Sequence, residues 1–148
     1  MSGVVGTLQS LLNPRSAFAP RVEPAVRRVL VVDDEPSVLE FVDRALRQAG
    51  YETVLAESGA AAVAASERSG KFDLLLTDLT MPLMAGDELA RLLRQHDPGL
   101  RVLYLTGYCD RLFGAKSTLW SDEAFLEKPC SVNGLLEAVS LLIRGRIR

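Results

Sequence analysis

Acidic side chains gather at two places in this chain, and each place follows directly on a run of apolar residues. Val29-Leu30-Val31-Val32 leads into Asp33-Asp34-Glu35, and the segment from Phe72 to Thr77 leads into Asp78. Two later apolar runs also end in polar groups. Thr106, with Gly107 beside it, follows Val102 to Leu105; Lys128, followed by Pro129, comes just after Ala124 to Leu126. The short run Thr53-Val54-Leu55 ends in Ala56 and Glu57 and offers no comparable cluster. Carboxylates brought close together repel, so either one keeps its proton or a cation neutralises them. A hard divalent ion with oxygen ligands is the economical answer, and Mg2+ suits one or two carboxylates, several waters and an incoming phosphate. With an ammonium from Lys128 and a hydroxyl from Thr106, these are the parts that phosphoryl transfer requires. Asp78 stands alone at the end of its run and is the best nucleophile, whereas Asp33 and Asp34 are adjacent and can hold a metal together. An ionised carboxylate can form an acyl phosphate and has no proton to lose first.

Such chemistry requires residues far apart in the sequence to meet, and the hydropathy pattern supplies the frame. Continuous apolar runs ended by polar residues are the mark of strands buried on both faces. Between them lie helical periods. Pro36 suits a first turn, and Val38, Phe41, Val42, Ala45, Leu46 and Ala49 recur on one face before Gly50 supplies the stop. Ser58 reads as the N-cap for Ala60 to Ser66, closed by Gly70; Leu89, Leu92 and Leu93 mark a third helix, and Asp97-Pro98-Gly99 a turn. Asp110 to Trp120 is the weakest helical segment, interrupted by Gly114 and Ser117-Thr118. Ser131 caps a last helix with Val132, Leu135, Leu136, Val139, Leu142 and Ile143 on its apolar positions. Strands alternating with helices predict right-handed βαβ crossovers and an α/β parallel sheet covered on both faces. Sites in such sheets form at the carboxyl ends of strands, where strand order reverses. If strands one and three are neighbours, Asp33, Asp34 and Asp78 converge.

Four segments taken together resemble the signature segments of response-regulator receiver domains: Val31-Val32-Asp33-Asp34-Glu35-Pro36, Leu76-Thr77-Asp78-Leu79-Thr80-Met81-Pro82 with Gly86, Leu105-Thr106-Gly107, and Phe125-Leu126-Glu127-Lys128-Pro129. The resemblance covers Arg28 to about Ile143 in order and spacing. It implies a flavodoxin-like (βα)5 three-layer sandwich with a parallel sheet of order 2-1-3-4-5. It implies that Asp78 is the phosphoacceptor, taking its phosphoryl group from a phosphohistidine. Mg2+ would be ligated by Asp34 and Asp78, with Asp33 assisting and the Thr80 backbone carbonyl contributing; Thr106 and Lys128 would bind the phosphoryl group. The family's aromatic switch maps onto Phe125, a Phe where many members carry Tyr, with Thr106 as its partner. Implied partners are a histidine kinase or phosphotransfer protein and a downstream protein target, and homodimerisation is left open. The product adds negative charge and acceptor oxygens, which would bias two packings of the surface formed by the fourth helical segment, the fifth strand and the last helix. Leu105-Thr106-Gly107-Tyr108 is similar to receivers attached to hybrid histidine kinases.

The 148 residues suit one domain with a short appendage. Residues 1–27, with Pro14, Pro20 and Pro24 and no sustained period, read as an N-terminal arm or tether in which Val4, Val5, Leu8, Leu11 and Leu12 have loosely helical spacing; 28–144 read as the receiver domain and 145–148 as a tail. With 48% hydrophobic and 24% charged residues the chain is neither a disordered tail nor a membrane protein, and a net charge of −2 offers no global field for nucleic acid or an anionic membrane. No apolar run approaches the roughly 20 residues of a membrane span, and the N-terminus lacks a cationic n-region, so a cytoplasmic location is expected. Cys109 and Cys130 read as reduced thiols. His96 reads as an exposed residue at a helix end, and Arg91 and Arg94 as a solvated helix face. Leu112, Phe113, Leu119 and Trp120 read as a packed stripe before a partner surface. Five residues follow Ile143, so the expectation is a stand-alone receiver or a segment of a longer protein such as a hybrid kinase, one that signals rather than turning over substrate. The alternative is a hydrolase of the aspartate-nucleophile phosphatase type, which needs a second acid two residues after the nucleophile. Here those positions are Thr80 and Pro36. A flavodoxin-like cofactor binder is disfavoured by the acidic first loop, where a phosphate cradle should be rich in Gly, Ser or Thr.

Overall fold

The structure is a computed structural model that describes residues 25–107 and 122–144. Its strands are β1 (Arg28–Val32), β2 (Glu52–Ala56), β3 (Leu74–Thr77), β4 (Arg101–Thr106) and β5 (Glu123–Glu127). Its described helices are α1 (Pro36–Gln48), α2 (Gly59–Ser69), α3 (Gly86–Arg94) and α4 (Val132–Arg144). All strand pairs are parallel, in the order β2-β1-β3-β4-β5, the order implied by the sequence resemblance. The expected helical segment Asp110 to Trp120, its apolar stripe and Cys109 lie outside the described residues, as do most of the N-terminal arm and the tail at 145–148.

Strand side chains alternate between faces, and here both faces are apolar, so the core has two halves. Leu30, Val32, Leu75, Val102 and Tyr104 point to the side covered by α2 and α3, where they meet Ala62, Ala65, Leu89 and Ala90. Val29, Val31, Leu74, Leu76, Leu103 and Leu105 point to the other side, against Leu39, Val42 and Leu46 of α1 and Leu135, Val139 and Ile143 of α4. Each fully buried Val or Leu contributes about 1.5–3 kcal/mol, which is why the continuous apolar runs rather than any single contact define the sheet.

Helix ends are set locally. Pro36 occupies the first turn of α1, where its missing N–H costs nothing. At the other end Gly50 takes φ 97°, and the Gly50 and Tyr51 N–H groups donate to the Arg47 and Leu46 carbonyls at 3.0 Å each. This is the Schellman closure that glycine permits without strain. The Ser58 hydroxyl accepts from the Ala61 N–H at 3.0 Å and the Ser131 hydroxyl from the Gly134 N–H at 2.9 Å, so both expected serine caps are present. The Asp97-Pro98-Gly99 turn closes with the Leu100 N–H on the Asp97 carbonyl at 3.0 Å.

Two sequence expectations need correction. The buried stripe of α1 runs through Leu39, Val42, Ala45 and Leu46, whereas Phe41 and Ala49 are exposed; both periods fit a helix, and only the direction of the sheet selects one. Arg94 is not solvated. Its side chain is 9% exposed, lies 2.7 Å from Glu123 and 3.0 Å from Asp122, and donates to the Leu100 carbonyl at 2.9 Å. Glu123 opens β5 and is buried, and a buried carboxylate requires such a partner. His96 and Arg91 are exposed as expected.

Candidate functional site

The sheet register brings the acids together. Val32 pairs with both Ala56 and Thr77, and the pairing continues one residue further: the Asp33 N–H donates to the Ala56 carbonyl at 3.2 Å and the Asp78 N–H to the Val32 carbonyl at 2.9 Å. Asp33 and Asp78 therefore stand side by side at the carboxyl ends of β1 and β3, the two strands at which the order reverses. Carboxylate oxygens of Asp33, Asp34 and Asp78 lie within 4.8 Å of one another; Asp33 and Asp78 are buried and Asp34 is exposed. An oxygen-only set with two buried anions is the donor chemistry that Mg2+ takes.

Lys128 reaches this cluster from the far side of the sheet. Its N–H donates to the Thr106 carbonyl at 2.9 Å, which fixes the residue just beyond β5 beside the end of β4. Its ammonium lies 3.1 Å from Asp33 Oδ2, 3.7 Å from Asp78 Oδ1 and 3.2 Å from Glu35 Oε1. Asp33 Oδ2 is held by this charge; its Oδ1 accepts from the Glu35 N–H at 2.9 Å. Thr106 is fully buried at the end of β4. Thr80, two residues beyond Asp78, donates its backbone N–H to the Asp78 carboxylate, while its own hydroxyl is buried without a hydrogen-bond partner. Phe125 is half-buried in β5, opposite Tyr104, and packs on the core half under α2 and α3. All seven residues singled out in the sequence thus lie at or beside one end of the sheet.

The electrostatics follow from the crowding. Burial, and next the neighbouring Asp33 charge, push Asp78 up to about 6, against the Lys128 ammonium and the Thr80 N–H. Burial likewise raises Asp33 above the ordinary carboxylate range. Burial alone would lower Lys128, but its contacts with Asp33 and Asp78 outweigh that and raise it. At neutral pH the pocket therefore holds an ionised but destabilised carboxylate at Asp78 facing a firmly protonated lysine.

Glu35 is the member of the site that sequence reasoning left without a role. It stood beside two acids, but its ion pair with Lys128 spans 93 positions and depends on the strand order. Gly86 is the site's steric limit. It donates to the Leu79 carbonyl at 2.8 Å, and a Cβ built there would sit 2.2 Å from the Asp78 carbonyl oxygen. Gly86→Ala is expected to cost about 1–3 kcal/mol and to shift the Asp78 backbone, seen in urea titration and in displaced amide resonances at residues 78–80.

The sequence matches the family model for the response regulator receiver domain over residues 29–140. It is 31% identical over 118 residues to the response regulator receiver protein CpdR of Brucella abortus, covering 80% of this chain and 98% of that protein. It is 33% identical over 136 residues to the sensor kinase CckA of the same organism, covering 88% of this chain but only 14% of the kinase. Among solved structures, the response regulator TrrA of Thermotoga maritima, crystallised with Mg(2+)-BeF, superposes with a TM-score of 0.69 at 32% identity, covering 79% of this chain and 99% of that one. Signature acids at neighbouring strand tips, a sheet of the expected order and a family match over most of the chain agree, and the chain belongs to the response regulator receiver domain family.

Proposed function

We propose that the unit at 28–144 accepts a phosphoryl group on Asp78 from the phosphohistidine of a kinase or phosphotransfer protein, and signals by changing its packing against a downstream protein. The observation that carries this reading is the meeting of Asp33, Asp34 and Asp78 within 4.8 Å, with the Lys128 ammonium 3.7 Å from Asp78. The Asp78 carboxylate oxygen attacks phosphorus in line; the new O–P bond forms as the P–N bond breaks, and its electron pair returns to the imidazole. Asp33, Asp34, Asp78 and the Thr80 carbonyl would hold Mg2+, which when bound screens the nucleophile's charge from the phosphoryl oxygens. Lys128, paired with Asp33 and Glu35 before transfer, neutralises the charge that arrives. The Thr106 hydroxyl donates to a phosphoryl oxygen, and the space it leaves lets Phe125 turn inward, the packing change offered to the partner. With Phe at 125 the switch works by shape alone, without a hydroxyl contact.

The likeness to CckA supports a place within or beside a hybrid histidine kinase. Among the described residues no helix is long and apolar enough to cross a membrane, and the donor chemistry fits the cytoplasm, where residues 1–27 would serve as an arm and 145–148 as a tail. Incubated with acetyl phosphate and Mg2+, the full chain is expected to gain one base-labile phosphoryl group by intact mass. Chelation by EDTA should slow this by at least about tenfold. Absence of incorporation would overturn the phosphoacceptor assignment, and incorporation indifferent to EDTA would overturn the metal requirement.

A further inference from the structure

At the end of the sheet opposite Asp78, α2 and α3 leave an open groove of about 430 Å3 between them. Its walls are Val63, Phe72, Leu92, Leu93 and Leu100, and its rim carries Glu67, Lys71 and Asp97. The gap follows from composition. The middle of α2 reads Ala60-Ala61-Ala62-Val63-Ala64-Ala65, and such short side chains cannot fill the space that a Leu-faced neighbour leaves. Leu92 is consequently 36% exposed. The volume lies within the range of about 300–1,000 Å3 typical of specific pockets.

The chain itself enters the fold beside this groove. The Arg28 guanidinium donates to the Ser69 carbonyl at 2.9 Å and the Lys71 carbonyl at 2.6 Å and stands 4.6 Å above the Phe72 ring. Arg27 pairs with Asp73 at 3.7 Å. Arg27 and Arg28 are thereby tied to the same 69–73 segment that forms one wall. Upstream lies a stretch whose apolar positions, Val4, Val5, Leu8, Leu11 and Leu12, share one face at helical spacing, followed by a proline-bearing connector at 13–24. Twelve connector residues reach up to roughly 40 Å when extended, more than enough to return to the groove. Residues 1–22 carry Arg15 and Arg21 and no acid, which complements Glu67 on the rim, where Asp97 already lies 4.0 Å from Lys71.

We infer that the segment Val4 to Leu12 of the same chain covers the α2–α3 groove, with its apolar face on Leu92, Leu93, Phe72 and Val63. The arm then has a fixed seat on the side of the domain remote from Asp78, and the Asp78 site keeps its own chemistry whether or not the seat is filled.

The test uses the full chain with Cys109→Ser and Cys130→Ser, and Ser10→Cys carrying a nitroxide label. At least half of the amide intensity of Val63, Leu92 and Leu93 is expected to be lost, with full recovery on reduction of the label. Leu8→Asp with Leu12→Asp in the arm, or Leu92→Asp at the half-exposed groove edge, should each abolish the effect while labelling by acetyl phosphate stays at the parent level. Undiminished groove resonances would overturn the inference. So would broadening seen only between differently labelled chains in a mixture, since it would place the arm on a second copy.

Discussion

Asp78→Asn is expected to incorporate no phosphoryl group from acetyl phosphate while folding normally and, without metal, outlasting the parent chain in urea at pH 7. The loss follows because an amide oxygen is too poor a nucleophile to form the acyl phosphate and no other carboxylate in the cluster is placed alone at a strand end. The gain follows from the same crowding that prepares the site. The folded chain binds the Asp78 proton more tightly than the unfolded chain does, with a pKa pushed up to about 6 against an ordinary 3.8. The favourable state is therefore the protonated one. Its contribution is complete below about pH 4 and is lost as pH rises through about 6, so the ionised carboxylate weakens the fold at pH 7 by about 1–3 kcal/mol. Asn keeps the shape without the charge. The difference in unfolding free energy between variant and parent should therefore grow from pH 4 to pH 7 and shrink again when Mg2+ is added, because the ion stabilises only the chain with the complete acid set. A variant less stable than the parent at pH 7 would contradict this electrostatic reading.

Glu123→Ala is the second large effect, a loss of about 3–5 kcal/mol of stability. Glu123 has a side chain 1% exposed and lies 2.7 Å from an Arg94 nitrogen; the Tyr104 hydroxyl is 3.4 Å from the same carboxylate oxygen. Burial, and next the Glu123 charge, drive the Tyr104 phenol far above its ordinary range, so it remains a neutral donor. Truncating Glu123 leaves the largely buried Arg94 with Asp122, which is itself partly exposed, and takes a carboxylate acceptor from the phenol. Removing one partner of a buried pair is costly, whereas replacing both by apolar residues is often neutral. Arg94→Met with Glu123→Leu should therefore recover most of the loss in urea titration, and failure to recover would mean that the pair does more than neutralise itself. Against a typical total of about 5–15 kcal/mol, the single variant is near the limit of folding at 37 °C. Because β5 carries Phe125 and positions Lys128, it should also slow phosphoryl incorporation.

Much of this was legible in the chain because the chemistry sits where apolar runs stop. Val29 to Val32 and Leu74 to Thr77 announce strands buried on both faces, and the residue after each is an acid. Ser58, Ser131, Pro36 and Gly50 act within a few residues of themselves, so local rules place them correctly. What was not legible depends on register. Glu35 gains its role only when β3 and β4 lie between β1 and β5 in the sheet, and Arg94 resembles any arginine of an amphipathic helix until Glu123 is buried beneath it. The choice between Leu39 and Phe41 as the inward face of α1 likewise belongs to the packing direction, since both fit a period of 3.6 residues.

The most direct measurement is to identify the modified side chain. The full chain, labelled with acetyl phosphate and Mg2+, is reduced with borohydride, which converts an aspartyl phosphate to homoserine, and is then sequenced by tandem mass spectrometry. Homoserine at position 78 alone is the expected result. Homoserine at position 33 or 34, or a phosphoryl group that survives on a hydroxyl such as Thr80 or Thr106, would contradict it.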